Sequence, residues 1–231
     1  FLRGPTWALS WFAAYREALG AELCVVAKHD GETLVGLAPL YARVVRVAPG
    51  VKMRELRLLG DAGPRPPGFD LLCNSGDAQR FARELATWLA SREAPEWDVL
   101  DLQPLCDPSA ARAYLAQGLE GLGRKVRSDE SSTTLSIALT GAPSAPSAVF
   151  PAKCDLEAGL TALRGLSRRE WAARDEASPI ADEEASRFLR KLAETAAERV
   201  RLVRLDDASG HAVAAAFVVD DPPRAACVAL A

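Results

Sequence analysis

The chain has 231 residues, 49% of them apolar, enough to bury the core of one large domain or two small ones, and this excludes disorder. With Lys and Arg at 28 against Asp and Glu at 31, the formal net charge is −3. That balance gives no electrostatic basis for binding nucleic acid or an anionic membrane.

Trp7, Trp11, Phe12, Tyr15 and Leu19 recur at helical spacing, so a helix is expected over 7–19, with Thr6 as its N-cap and Gly20 as its stop. Glu22 to Arg43 follows, with two apolar runs around Asp30-Gly31, the signal for a β-hairpin. Alternation over 53–59 predicts a third strand with Leu56 and Leu58 on one face. A breaker-rich loop covers 60–68, and a short strand is expected over 69–72. Phe81, Leu85, Trp88 and Leu89 form one stripe of a helix over 77–91. A strand over 97–102, a helix over 109–122 capped by Ser109, and a strand over 133–139 complete the first half. This mixture of strands and helices predicts an α/β or α+β sheet with helices on both faces.

Small residues and three prolines between Gly141 and Pro151 mark a linker. Leu156, Leu160, Leu163 and Leu166 then share a face of a helix over 155–174, and a second helix over 182–199 turns Phe188, Leu189, Leu192 and Ala196 inward. Val200 to Val219 is again a strand, an Asp/Gly turn and a strand, with another strand expected over 225–231. A helix-then-hairpin unit therefore occurs twice. The expected domains are 1–140, a linker 141–154, and a second, incomplete copy over 155–231.

No run approaches the length of a membrane-spanning helix, and the opening FLRGPTWALSWF lacks the marks of a signal peptide. The five cysteines (Cys24, Cys73, Cys106, Cys154, Cys227) are scattered without a CxxC pair, as expected of reduced thiols in a cytoplasmic protein. The two histidines, His29 and His211, supply neither a metal site nor a Ser-His-Asp triad. No metal is expected. Both ends of the chain read as cut: there is no initiator Met, and the last residues, CVALA, are apolar.

The segments WALSWFAAYREALG, LCVVAKHDGETLVGLAPLYARV, LRLLG, GFDLLC and WDVLDLQPL resemble, in order and wording, the N-terminal half of the CelD-type acetyltransferases of the GNAT superfamily. The layout is similar to the Fem-type transferases, which carry two GNAT-like units in tandem. In the second half, the helix with Trp171 and Arg174 and the stretch GHAVAAAFVV resemble the same family. The resemblance implies a GNAT-like fold in tandem, an acyl-CoA-dependent N- or O-acyltransferase with acetyl-CoA as co-substrate, and a small-molecule or saccharide acceptor in polysaccharide biosynthesis. The alternative is a non-catalytic GNAT-like scaffold in exopolysaccharide machinery. The chain departs from the family in lacking a basic helix between the halves and in stopping before the second unit's CoA-binding part.

The candidate site residues follow. Arg57, Gly60 and Ala62 match the family's pyrophosphate-loop form, Arg/Gln-x-x-Gly-x-Gly/Ala, in which backbone N–H groups cradle phosphate. The following Gly-Pro-Arg-Pro-Pro-Gly is at odds with a helix start, and Asp61 with a phosphate. Asp70 is a candidate general base or acceptor-orienting group, or else a solvated residue at a strand edge. Trp171 and Arg174, one helical turn apart, are candidates for stacking and for a bidentate contact to phosphate or carboxylate, or else a packing Trp with a surface Arg. No catalytic residue is assigned from sequence.

Overall fold

The computed structural model describes residues 4–65, 70–103, 105, 109–128, 149–150, 156–221 and 224–230. It is a mixed α/β chain in which the described residues fall into two compact units. One comprises residues 16–61 and 70–128; the other joins residues 4–15 and 62–65 to 149–230. The strand expected over 133–139 and most of the expected linker lie outside the described residues.

The unit of residues 16–61 and 70–128 is built on a mixed five-stranded sheet. Strands β1 (Glu22–Asp30), β2 (Thr33–Ala48) and β3 (Val51–Leu58) form an antiparallel meander. Asp30 pairs with Thr33 across the two-residue loop Gly31-Glu32, where Gly31 has φ 59°. A left-handed residue at the first loop position suits the twist of a tight hairpin, and only glycine reaches it without strain. The second strand is longer than its sequence suggests. It runs 16 residues and turns at Pro49-Gly50, so 44–48 continue the ladder and do not form a connection. β4 (Leu72–Cys73) pairs with β2 beyond the end of β3, and β5 (Val99–Asp101) pairs parallel with β3.

Helices α2 (Ala78–Leu89) and α3 (Ala110–Gly121) both cover one face of this sheet, where the sequence led us to expect helices on two. The alternate residues Ala38, Leu40, Leu56 and Leu58 point into the same core as Phe81, Leu85, Leu89, Leu115 and Leu119. Burial of those apolar side chains is what holds the layers together. A Cβ on Gly36 would lie 2.4 Å from the Phe81 ring, so this glycine lets the helix approach the strand. Ser109 caps α3 as expected, accepting from Arg112 N–H at 3.0 Å.

In the other unit, α1 (Pro5–Leu19) begins two residues earlier than expected. Pro5 takes the first helical position, where its missing N–H costs nothing, so Thr6 lies inside the helix and is not its cap. Helix α1 continues past this unit's Tyr15 to Leu19, and Gly20 ends it at φ 58°. Trp7 stands edge-on to Phe188 with ring centroids 4.8 Å apart, and Trp11 stacks on Tyr15 at 5.2 Å. An all-antiparallel sheet has the order β6 (Val149–Phe150), β7 (Val200–Asp206), β8 (Ala212–Asp221), β9 (Arg224–Leu230), and helices α4 (Leu156–Ala172) and α5 (Glu183–Thr195) lie in the chain between β6 and β7. Val149 and Phe150 come from the expected linker, yet pair with Val203 and Leu202 as an edge strand. Asp182 does more than complement the α5 dipole: its carboxylate accepts Ala185 N–H at 2.6 Å as an N-cap.

Candidate functional site

In the five-stranded sheet the only parallel ladder among the described residues joins β3 to β5. It ends at Arg57 opposite Asp101, while both strands' chains continue past that pair. In sheets with parallel strands, ligands settle at the carboxyl ends, where separating backbones leave N–H groups and room. The residues around this end, on the face away from α2 and α3, form a charged network that hydropathy alone does not show.

Pairing puts Tyr41 opposite Arg57, Arg43 opposite Glu55, and Arg57 beside Asp101, so these five side chains share one face across three strands. Asp61 reaches in from the loop after β3. Its carboxylate accepts the Tyr41 hydroxyl at 2.8 Å and the Arg57 Nε. Arg57 Nη1 meets Asp101 Oδ2 at 2.7 Å and Glu55 Oε2 at 3.5 Å, and Arg43 Nη2 meets the same Glu55 oxygen at 2.7 Å. Asp61 is only 3% exposed. Burial at that level is sustainable only because both its oxygens are matched by donors.

The electrostatics follow from that geometry. Burial pushes the Tyr41 phenol well above its ordinary range, with the Asp61 carboxylate adding to the effect and Arg43 and Arg57 opposing it. Arg57 is partly desolvated, which works against its charge. The hydrogen bond and charge of Asp61 and the charge of Asp101 outweigh that and raise its pKa further. Tyr41 is thus a neutral hydrogen-bond donor and Arg57 a permanently charged clamp.

The candidates from sequence are placed as follows. Arg57 and Gly60 stand at the end of β3, where Gly60 has φ 100°; Ala62 falls in the other unit, its carbonyl accepting the Trp11 indole N–H at 2.9 Å. The Arg57 guanidinium is engaged by carboxylates, and among the described residues no helix starts between Gly60 and Ala78. Asp70 accepts Leu71 N–H at 2.8 Å and the Ser109 hydroxyl at 2.7 Å, so it ties the segment before β4 to the N-cap of α3. Cys73 lies near it, and burial together with Asp70 and Asp77 pushes its thiol up, away from a nucleophilic thiolate.

Trp171 and Arg174 are brought together: the guanidinium carbon sits 5.5 Å from the indole ring centre, and Arg174 also pairs with Glu170 at 2.5 Å. Arg174 lies just past α4, where its N–H and that of Glu176 bond the Trp171 carbonyl at 2.9 and 3.1 Å, with Asp175 left-handed between them. Arg164 and Arg168 both donate to the Ala181 carbonyl, at 3.1 and 2.7 Å.

Sequence reading passed over Tyr41, Arg43 and Glu55. The available signal was polar residues at i and i+2 on two strands of one meander, which become neighbours once the turn at Pro49-Gly50 fixes the register. Among the described residues, no group of three or more His, Cys, Asp or Glu could hold a metal ion, and no helix is long and apolar enough to cross a membrane. No family model, no curated protein and no solved structure matches the chain.

Proposed function

We propose that this chain is an acyl-CoA-dependent N- or O-acyltransferase of the GNAT type, taking acetyl-CoA and a saccharide or other small acceptor in the cytoplasm. The observation that carries the reading is the parallel pair β3/β5, the only one among the described residues, whose ladder stops at Arg57–Asp101 while the chain continues. Beyond that point Leu59 N–H donates to the Pro39 carbonyl and Gln103 N–H to the Asp101 carboxylate, so polarising a thioester carbonyl falls to the other backbone N–H groups of that end. The acceptor amine or hydroxyl attacks the carbonyl carbon, its proton passes to a base or water, and CoA leaves as the thiol. Little is asked of side chains in that reaction, so the Tyr41–Asp61–Arg57 network serves to hold the strand end rigid. Two meanders, β1 to β3 and β7 to β9, each following a helix and each shifting register near its first turn, support a tandem GNAT-like arrangement.

Calorimetric titration of the chain with acetyl-CoA tests this reading. Saturable binding with a raised melting temperature is expected; no heat of binding and no thermal protection would overturn it. A second reading, a GNAT-like scaffold without catalysis, is favoured by the engaged Arg57 guanidinium and by the lack, among the described residues, of a helix start between Gly60 and Ala78. CoA-dependent acyl transfer by the purified chain excludes it.

A further inference from the structure

Strand β1 has β2 on one side, and among the described residues nothing pairs with its other edge. Pro39 tells which backbone groups face that edge. Its carbonyl accepts Leu59 N–H at 2.9 Å and so points away from β1, and as a proline it has no N–H to offer. Pro39 is the register partner of Val25. The two therefore form a non-hydrogen-bonded pair, and the N–H and C=O of Val25 turn outward. The same holds two residues away on either side, at Leu23 and Ala27. These residues also carry an apolar stripe on the face away from α2: Leu23 is 50% and Val25 45% exposed.

An open, apolar, regular edge is a template for another strand. We infer that β1 pairs antiparallel with β1 of a second copy of this chain, about a twofold axis through Val25. The register follows from the strand itself. Its ladder with β2 is regular from Glu22 to Lys28 and shifts between Lys28 and His29, so Val25 is the midpoint of the usable segment. Centred there, Val25 faces Val25 and Leu23 faces Ala27 on both sides of the axis. All are outward-bonding positions, giving roughly six backbone hydrogen bonds, two per pair. Glu22 of each copy then lies opposite Lys28 of the other, beside the Glu84 carboxylate that Lys28 already meets at 2.7 Å. Centring on Val26 would instead set Glu22 against Asp30 and carry the register shift into the ladder.

One strand pair buries less than a permanent dimer needs, so association is concentration-dependent. Sedimentation velocity of the chain from micromolar to near-millimolar concentration is expected to show monomer passing to dimer. Val25→Lys places two ammonium groups face to face and is expected to weaken the dimer by at least about tenfold. Val25→Pro removes an outward N–H and no β1–β2 bond, and is expected to leave the circular dichroism unchanged while abolishing the dimer. Val25→Cys is expected to form a disulfide-linked dimer on mild oxidation well above the wild-type level, and Leu23→Cys to stay at that level. A chain monomeric at every concentration overturns the inference, as does a dimer indifferent to both the Lys and the Pro substitution. If those two variants fail to fold, absence of the Val25→Cys cross-link overturns it.

Discussion

Asp61 is the residue on which the charged network turns, because it is the most deeply buried charge among the described residues and it serves two donors. Asp61→Ala removes the carboxylate that accepts from both the Tyr41 hydroxyl and the Arg57 Nε. We expect a loss of about 3 kcal/mol, read as a lower urea midpoint at unchanged slope. The exposed pair Glu157–Arg190 has equally good geometry, with contacts of 2.5 and 2.8 Å. Solvent screening nonetheless limits Glu157→Ala to about 0.5 kcal/mol. Burial, not distance, separates the two. The tyrosines make a second residue-scale prediction. Burial raises the Tyr15 phenol, with the Asp182 and Glu184 carboxylates adding to it, and Tyr41 is raised likewise. Above about pH 10 the unfolded chain gives up these protons and the folded chain keeps them. Stability is therefore fully present below that pH and falls above it, by about 1.4 kcal/mol per pH unit for each phenol. Phenolate absorbance from these two residues is expected to appear only together with loss of the circular dichroism signal, and Tyr15→Phe with Tyr41→Phe should remove that part of the alkaline fall. Little of this network was legible in the sequence. Arg57 matches a phosphate-binding pattern by local spelling, but its partner Asp101 is distant in the chain, and only the strand register brings the two together.

Elements were more legible than their connections. The apolar spacing of Phe81, Leu85 and Leu89 identifies a helix and its buried face, and Asp-Gly locates the first hairpin, because both signals are local. The length of β2 was hidden because residues 44–48 are mostly exposed and lie beyond the core, with no clean alternation to mark them. β6 was hidden because two residues in a proline-rich stretch become a strand only through a partner about fifty positions later. Gly36 lies between these cases: it reads as a dispensable small residue in a strand, while its packing makes it a contact surface. Gly36→Ala is expected to cost about 1–3 kcal/mol by driving a methyl into the Phe81 ring. Adding Phe81→Leu should recover part of that loss, and a double-mutant cycle measures how much. Gly159 is a useful contrast, since a Cβ there would meet the far end of the Leu202 side chain, which can rotate aside.

At the scale of the molecule, the first residues of the chain belong with its last ones. Residues 4–15 share a unit with 149–230, where Trp7 packs on Phe188. Trp7→Ala is expected to cost about 3–5 kcal/mol in that unit. Hydrogen exchange should then show protection lost in α5 and β7 and kept in α2 and α3. The sequence, read as successive domains, gave no hint of this, since nothing in a helix's own spacing says which sheet will cover it. The arrangement bears on how the chain is made. Trp7 and Trp11 leave the ribosome some 180 residues ahead of Phe188. At ordinary synthesis rates they wait roughly ten to forty seconds for the surface that shelters them. In that interval the strands of the other unit are complete and free to fold, while an aromatic helix face stands uncovered. Chaperone capture of the nascent chain is expected at that helix, and a circular permutant that places residues 4–15 after 230 should fold with less aggregation.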